Sequence, residues 1–203
     1  MLGAQDHADG AALPEDVFDR SLQGCKRSDP EQWVGGGGGG VGCYDPPMTT
    51  SHDPEAALAA LGLALPAAAK PVAAYIPTKQ VGNLLYVSGQ IPMREGQMIA
   101  KGSLPTQVSE QVALECAQQC TLNGLAAAKA ALGSLSRIKQ VVRVGVFVCS
   151  EPGFEQQPKI ANGCSELLVK VFGDAGRHCR AAVGSVALPL GAPVEIEFLF
   201  EVQ

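Results

Sequence analysis

Arg180 and Glu195 stand fifteen residues apart, one in each of two β-patterned segments joined through Pro189-Leu190-Gly191-Ala192. Paired as a hairpin about that turn, segments 178–187 and 193–202 place both side chains on one sheet face, converging on one pocket. A guanidinium offers a rigid fork of donors to a carboxylate, and a glutamate can move a proton or orient a water. The pair therefore suits binding a small acid and doing proton chemistry beside it. The same placement also describes an ordinary cross-strand ion pair, worth little if exposed. His178, next to this pair, reads either as a general base or as a structural histidine at a strand end.

The elements that must carry these residues are legible from periodicity. In the last segment Val194, Ile196, Phe198, Phe200 and Val202 alternate with Glu195, Glu197, Leu199 and Glu201. Strict alternation predicts a strand with one face against helices and the other against something polar. Residues 107–132 hold no proline and are crowded with Ala, Gln, Glu and Leu, predicting a long helix with Val108, Val112, Cys116, Cys120, Asn123 and Ala127 along one stripe. Ile138 to Cys149 reads as a strand with Ile138, Val142, Val144, Val146 and Val148 on one face, and 158–172 as a second helix. Strands at 72–79 and 84–90 are joined through Gly82-Asn83, with Leu84, Tyr86, Ser88 and Gln90 on one side and Leu85, Val87 and Gly89 on the other. Asp53-Pro54-Glu55 opens a short helix carrying Leu58 and Leu61 and ending at Gly62. Hairpin, helix, strand, helix, hairpin predicts an α+β layer with two helices packed on one face. The other face then needs water or a second subunit.

The charge is unevenly distributed along the 203 residues. Residues 1–53 carry nine acids against three bases, a net of −6, and residues 54–203 carry eleven against twelve, a net of +1, which together return −5. The first segment also holds ten of the 24 glycines, six of them in the run Gly35 to Gly40. Such a run has nothing to pack, so 1–53 is expected to be disordered and 54–203 to form the domain, with Met48 a candidate natural start. Dominance of acids argues against a secretory or mitochondrial leader. No stretch reaches the ~18 apolar residues of a membrane span, and a pI of 5.2 argues against nucleic acid as a partner. Seven cysteines, irregularly spaced and without a CxxC pair, read as buried thiols in a reducing cytoplasm.

Tyr75 followed by Gly82-Asn83-Leu84-Leu85-Tyr86-Val87-Ser88-Gly89-Gln90-Ile91-Pro92, and Arg180-Ala181-Ala182-Val183 through Leu188-Pro189 to Val194-Glu195-Ile196-Glu197, resemble the opening and closing signatures of the RidA (YjgF, endoribonuclease L-PSP) family. The resemblance covers about residues 70–203, in a divergent branch. It implies a chorismate-mutase-like fold assembled as a homotrimer, with pockets between adjacent subunits. It also implies hydrolysis of reactive 2-imino and enamino acids to keto acids and ammonia, as metabolite damage control. By position, Arg180 would bind the substrate carboxylate and Glu195 would activate water. Tyr75, Ser88 and Asn162 would line the pocket, and no metal or organic cofactor would be needed. The alternatives are a non-catalytic trimer binding a small carboxylate or a protein, and an endoribonuclease. Two departures bear on the pocket. Ala182 stands where the family often has cysteine, and Gln156-Gln157-Pro158-Lys159 looks inserted ahead of Asn162.

Overall fold

The structure, a computed structural model, describes residues 53–68 and 75–203. The expectations for 1–52 and for a strand at 72–74 lie outside the described residues.

Helix α1 (Pro54–Ala60) starts as its sequence dictates: the Asp53 carboxylate accepts from the Glu55 N–H at 2.9 Å, and proline opens the first turn. Leu58 enters the core, whereas Leu61 is left largely exposed. Strands β1 (Thr78–Val81) and β2 (Leu84–Gln90) form the expected hairpin about Gly82-Asn83. The first strand is shorter than predicted, because residues 75–77 run outside the ladder. A small second hairpin, β3 (Met93–Arg94) and β4 (Gln97–Met98), has no counterpart in the sequence reading. Asn123 pins it by donating to the Ile91 and Met93 carbonyls at 2.9 and 3.0 Å.

Helix α2 (Glu110–Leu132), strand β5 (Ile138–Cys149), helix α3 (Gln157–Phe172), strand β6 (Cys179–Ser185) and strand β7 (Val194–Val202) complete the domain. The sheet order is β1-β2-β7-β5-β6. Strand β6 pairs with β5 in parallel, and β7 lies between β2 and β5, antiparallel to both. The predicted hairpin of 178–187 with 193–202 is therefore wrong. The chain runs β5-α3-β6 as a parallel crossover, which closes α3 onto the sheet and leaves β6 at the edge, one strand away from β7.

Alternation in β7 holds along its whole length. Val194, Ile196, Phe198, Phe200 and Val202 are buried in the core beneath α2, and the intervening residues face away from the helices. Helix α2 buries much more than the predicted stripe, because it is wedged between the sheet and α3. Small residues permit that wedge. A Cβ on Gly124 would sit 2.4 Å from the Phe198 ring, and one on Gly163 of α3 would sit 2.6 Å from the Leu114 carbonyl oxygen. In β5, register shifts between Ile138 and Gln140 and between Val141 and Arg143 place Val141, not Val142, in the core. A further shift in β2 between Val87 and Gln90 puts Gln90 opposite Ile196. Gly89 lies against the Glu195 side chain on the helix-free face, the reverse of the side predicted for it. Among the described residues no helix is long and apolar enough to cross a membrane.

Candidate functional site

Two partial sites occupy opposite faces of the sheet. Register decides this. Arg180 sits opposite Val144 on the parallel ladder, and Val144 is buried beneath the helices, so Arg180 points to the helix side of the edge. Glu195 sits opposite Phe147 and shares the helix-free face with Glu197 and Glu201. Within one chain the two do not converge. The expectation of a shared pocket across a hairpin fails because β5 runs between their strands and their side chains project to opposite faces.

On the helix side, Arg180 Nη1 donates to Asn162 Oδ1 at 2.9 Å and to Ser165 Oγ at 3.1 Å. Both partners come from α3, three residues apart and so on one face. Asn162 is on the second turn of α3 and does not cap the helix. The segment 156–159 that looks inserted supplies the N-cap and first turn, so Asn162 rides on the helix itself. Ser165, which the sequence reading missed, is also hydrogen-bonded to His178 Nε2 at 3.0 Å. Arg94, Arg143 and Arg177 each meet a carboxylate, whereas Arg180 meets none among the described residues. Both Nη1 protons are used inward, and Nε and Nη2 have no partner among the described residues. That edge of the guanidinium is the one that accepts a carboxylate with two parallel bonds. Burial, and secondarily the Arg180 charge, lowers the affinity of His178 for a proton, partly opposed by its bond to the Gly176 carbonyl.

On the other face Glu195 is half-buried. Glu197 pairs with Arg143 at 2.8 Å and Glu201 with Lys139 at 3.6 Å, whereas Glu195 has no such partner among the described residues. Desolvation, with the neighbouring Glu197 charge adding to it, raises its pKa above the ordinary carboxylate value. Gly89 leaves the space that Glu195 occupies: a Cβ there would fall 1.9 Å from Oε1. Glycine inside a strand marks such an approach and was the available signal. Ser88, the preceding residue, donates through Oγ to the Ile76 carbonyl at 3.0 Å and through its N–H to the Pro77 carbonyl at 2.9 Å. It thereby ties the segment carrying Tyr75, 56% exposed, to the end of β2. Ser88 thus adjoins the residue that meets Glu195, and Tyr75 is linked to that side only along the backbone through Ile76, whereas Asn162 stands with Arg180.

Cys116, Cys120, Cys149 and Cys164 are buried and Cys179 is exposed. Burial pushes the Cys116 thiol up to about 11 and Cys164 up to about 12, so neither is a thiolate nucleophile at neutral pH. Ala182, in the position where the resemblance often has cysteine, is partly buried against the core.

Comparison with known proteins agrees with this architecture. The family described as "YjgF/chorismate mutase-like, putative endoribonuclease" matches residues 55–202. Protein TCP17 of Trypanosoma cruzi is 42% identical over 70% of this chain and 90% of its own length. A 2-iminobutanoate/2-iminopropanoate deaminase of Dermatophagoides farinae is 30% identical over 70% of this chain and 95% of its own. The crystal structure of Atu1372 from Agrobacterium tumefaciens, a protein of unknown function, superposes with a TM-score of 0.71 at 44% identity, covering 75% of this chain and 94% of that one. With a five-stranded mixed sheet, helices on one face and a matching sequence across the whole domain, the chain belongs to the YjgF/RidA family.

Proposed function

We propose that this chain is a deaminase of small 2-imino and enamino acids whose site is completed between two copies in a homotrimer. The observation that carries the reading is Arg180: an exposed guanidinium held from behind by Asn162 and Ser165, with its Nε and Nη2 edge open. Such an edge, at a strand terminus and without an acidic partner, fits a substrate carboxylate. Glu195 supplies the second half from a neighbouring copy, whose helix-free face meets the β6 edge. A carboxylate with a raised pKa and no cationic partner among the described residues is suited to taking a proton from water.

The chemistry balances without further groups. Glu195 accepts a proton from water as the water oxygen bonds to the imine carbon, and the C=N π pair moves to nitrogen, which takes that proton back from Glu195. The carbinolamine then collapses: Glu195 takes the hydroxyl proton as C=O forms and delivers it to nitrogen as the C–N bond breaks, so ammonia leaves with the keto acid remaining. An enamine enters after protonation at carbon. Arg180 holds the carboxylate throughout, so the imine carbon is presented to water in a constant geometry. Tyr75 and Ser88 border the Glu195 side, and Asn162 the Arg180 side.

The full chain added to a source of 2-iminopropanoate is expected to speed pyruvate and ammonia release. Arg180→Ala should remove the gain, and Glu195→Gln should reduce it about 10²-fold or more. No acceleration by a trimeric wild-type protein overturns the reading. A non-catalytic carboxylate-binding trimer is the second reading, favoured by the completeness of the Arg180 cluster without Glu195. It predicts saturable binding of the keto acid without turnover.

A further inference from the structure

We infer that His178 and Ser165 form a positioning relay that sets the direction in which Arg180 presents its free edge, an inference that rests on the carboxylate-binding role proposed for Arg180. The direction of each hydrogen bond follows from chemistry. His178 Nδ1 lies 2.6 Å from the Gly176 carbonyl oxygen, which can only accept, so Nδ1 carries the proton. In the neutral ring Nε2 is then an acceptor, and the group facing it at 3.0 Å is Ser165 Oγ, which must donate. With its proton committed to His178, the Ser165 oxygen turns its lone pairs to Arg180 Nη1 at 3.1 Å.

The relay is anchored at its far end. Gly176 is buried so tightly on α3 that an added Cβ would lie 2.3 Å from the Leu168 carbonyl oxygen. The Gly176 carbonyl therefore has a set position relative to α3, the helix that also carries Ser165 and Asn162. Backbone of α3, Gly176, His178 and Ser165 form a closed circuit, and Arg180 is bonded into it from β6. Without His178 the Ser165 hydroxyl can turn to a helix carbonyl one turn back, and its lone pairs are no longer aimed at Arg180. Because Asn162 takes the other Nη1 proton, the two acceptors together define the guanidinium plane. His178 and Ser165 touch no substrate in this scheme; they act through Arg180.

The test uses the full chain and 2-oxobutanoate as probe, with binding measured by calorimetry and the histidine ring nitrogens read by ¹⁵N NMR. Ser165→Ala and His178→Phe, which keeps a ring but loses the acceptor, are each expected to weaken probe binding roughly tenfold. His178→Gln, whose amide oxygen can replace Nε2 as acceptor, should restore most of the affinity. The wild-type spectrum should show His178 protonated at Nδ1, with its Nε2 resonance shifting in Ser165→Ala. His178→Phe binding as wild type does, or an Nε2-protonated ring, overturns the relay. Wild-type protein that ignores the probe, or Arg180→Ala that binds it equally, overturns the carboxylate role instead. The relay then stands or falls on the ring resonances, an Nδ1 proton with a Ser165-dependent Nε2 signal sustaining it.

Discussion

Glu195, unlike its strand neighbours Glu197 and Glu201, pairs with no cation among the described residues. Desolvation comes first in raising its pKa, followed by the Glu197 charge two residues along the same face. A base works only when ionised, so activity should fall on acidification at a pH above the ordinary carboxylate value of about 4.3. Glu197→Gln removes the like charge and leaves the burial, so the acid limb of kcat/KM should move to lower pH. A limb that stays in place would mean that another group titrates there. Gln119 and Thr121 are the buried polar residues on α2, and both are satisfied within the fold by hydrogen bonds.

Helix α3 approaches α2 as closely as Gly163 allows, and this closeness sets the position of Asn162 and Ser165. Gly163 lies between Asn162 and Ser165 in sequence and faces the Leu114 backbone on the opposite side of α3. Gly163→Ala would gain about 0.5–1 kcal/mol of helix propensity. It would also push a methyl into a backbone oxygen that cannot swing aside, at a cost of about 1–3 kcal/mol. The expected net result is a lower denaturation midpoint in urea. An unchanged midpoint would show that α3 can shift without penalty. The extent of both long helices and of β7 was legible because each keeps one period for at least two turns or several alternations, and that of β2 and β5 because their apolar runs are bounded by turn signals although bulges break their alternation. Strand pairing was not, since β6 and β7 are successive in sequence with a turn-rich link between them. Only the crossover through α3 reveals that β5 separates them.

At the scale of the whole molecule, the helix-free face exposes Tyr86 at 48% and Val183 at 47% beside its row of glutamates. Apolar side chains on an uncovered sheet face are suited to a partner surface. Sedimentation equilibrium of the full chain is expected to give three times its mass of 21.0 kDa. Because Arg180 and Glu195 face opposite ways in one chain, complementation separates a shared cleft from an internal one. Co-expressed Arg180→Ala and Glu195→Gln chains, each inactive alone, should recover about a quarter of wild-type activity if they assort at random in rings with heterologous interfaces. No recovery in mixed trimers would mean that the two groups do not act together.

What this amino-acid sequence determined alone is the main helices and strands and the alternation of β7, because local period and turn chemistry are properties of neighbours along the chain. What only the tertiary structure decided is which face each of those residues meets. A one-residue shift in β2 carries Gly89 to Glu195, and the interposition of β5 sends Arg180 to the helix side. Side chains on a strand change face with every residue, so facing depends on pairing and register. Those are settled by contacts between segments far apart in the chain.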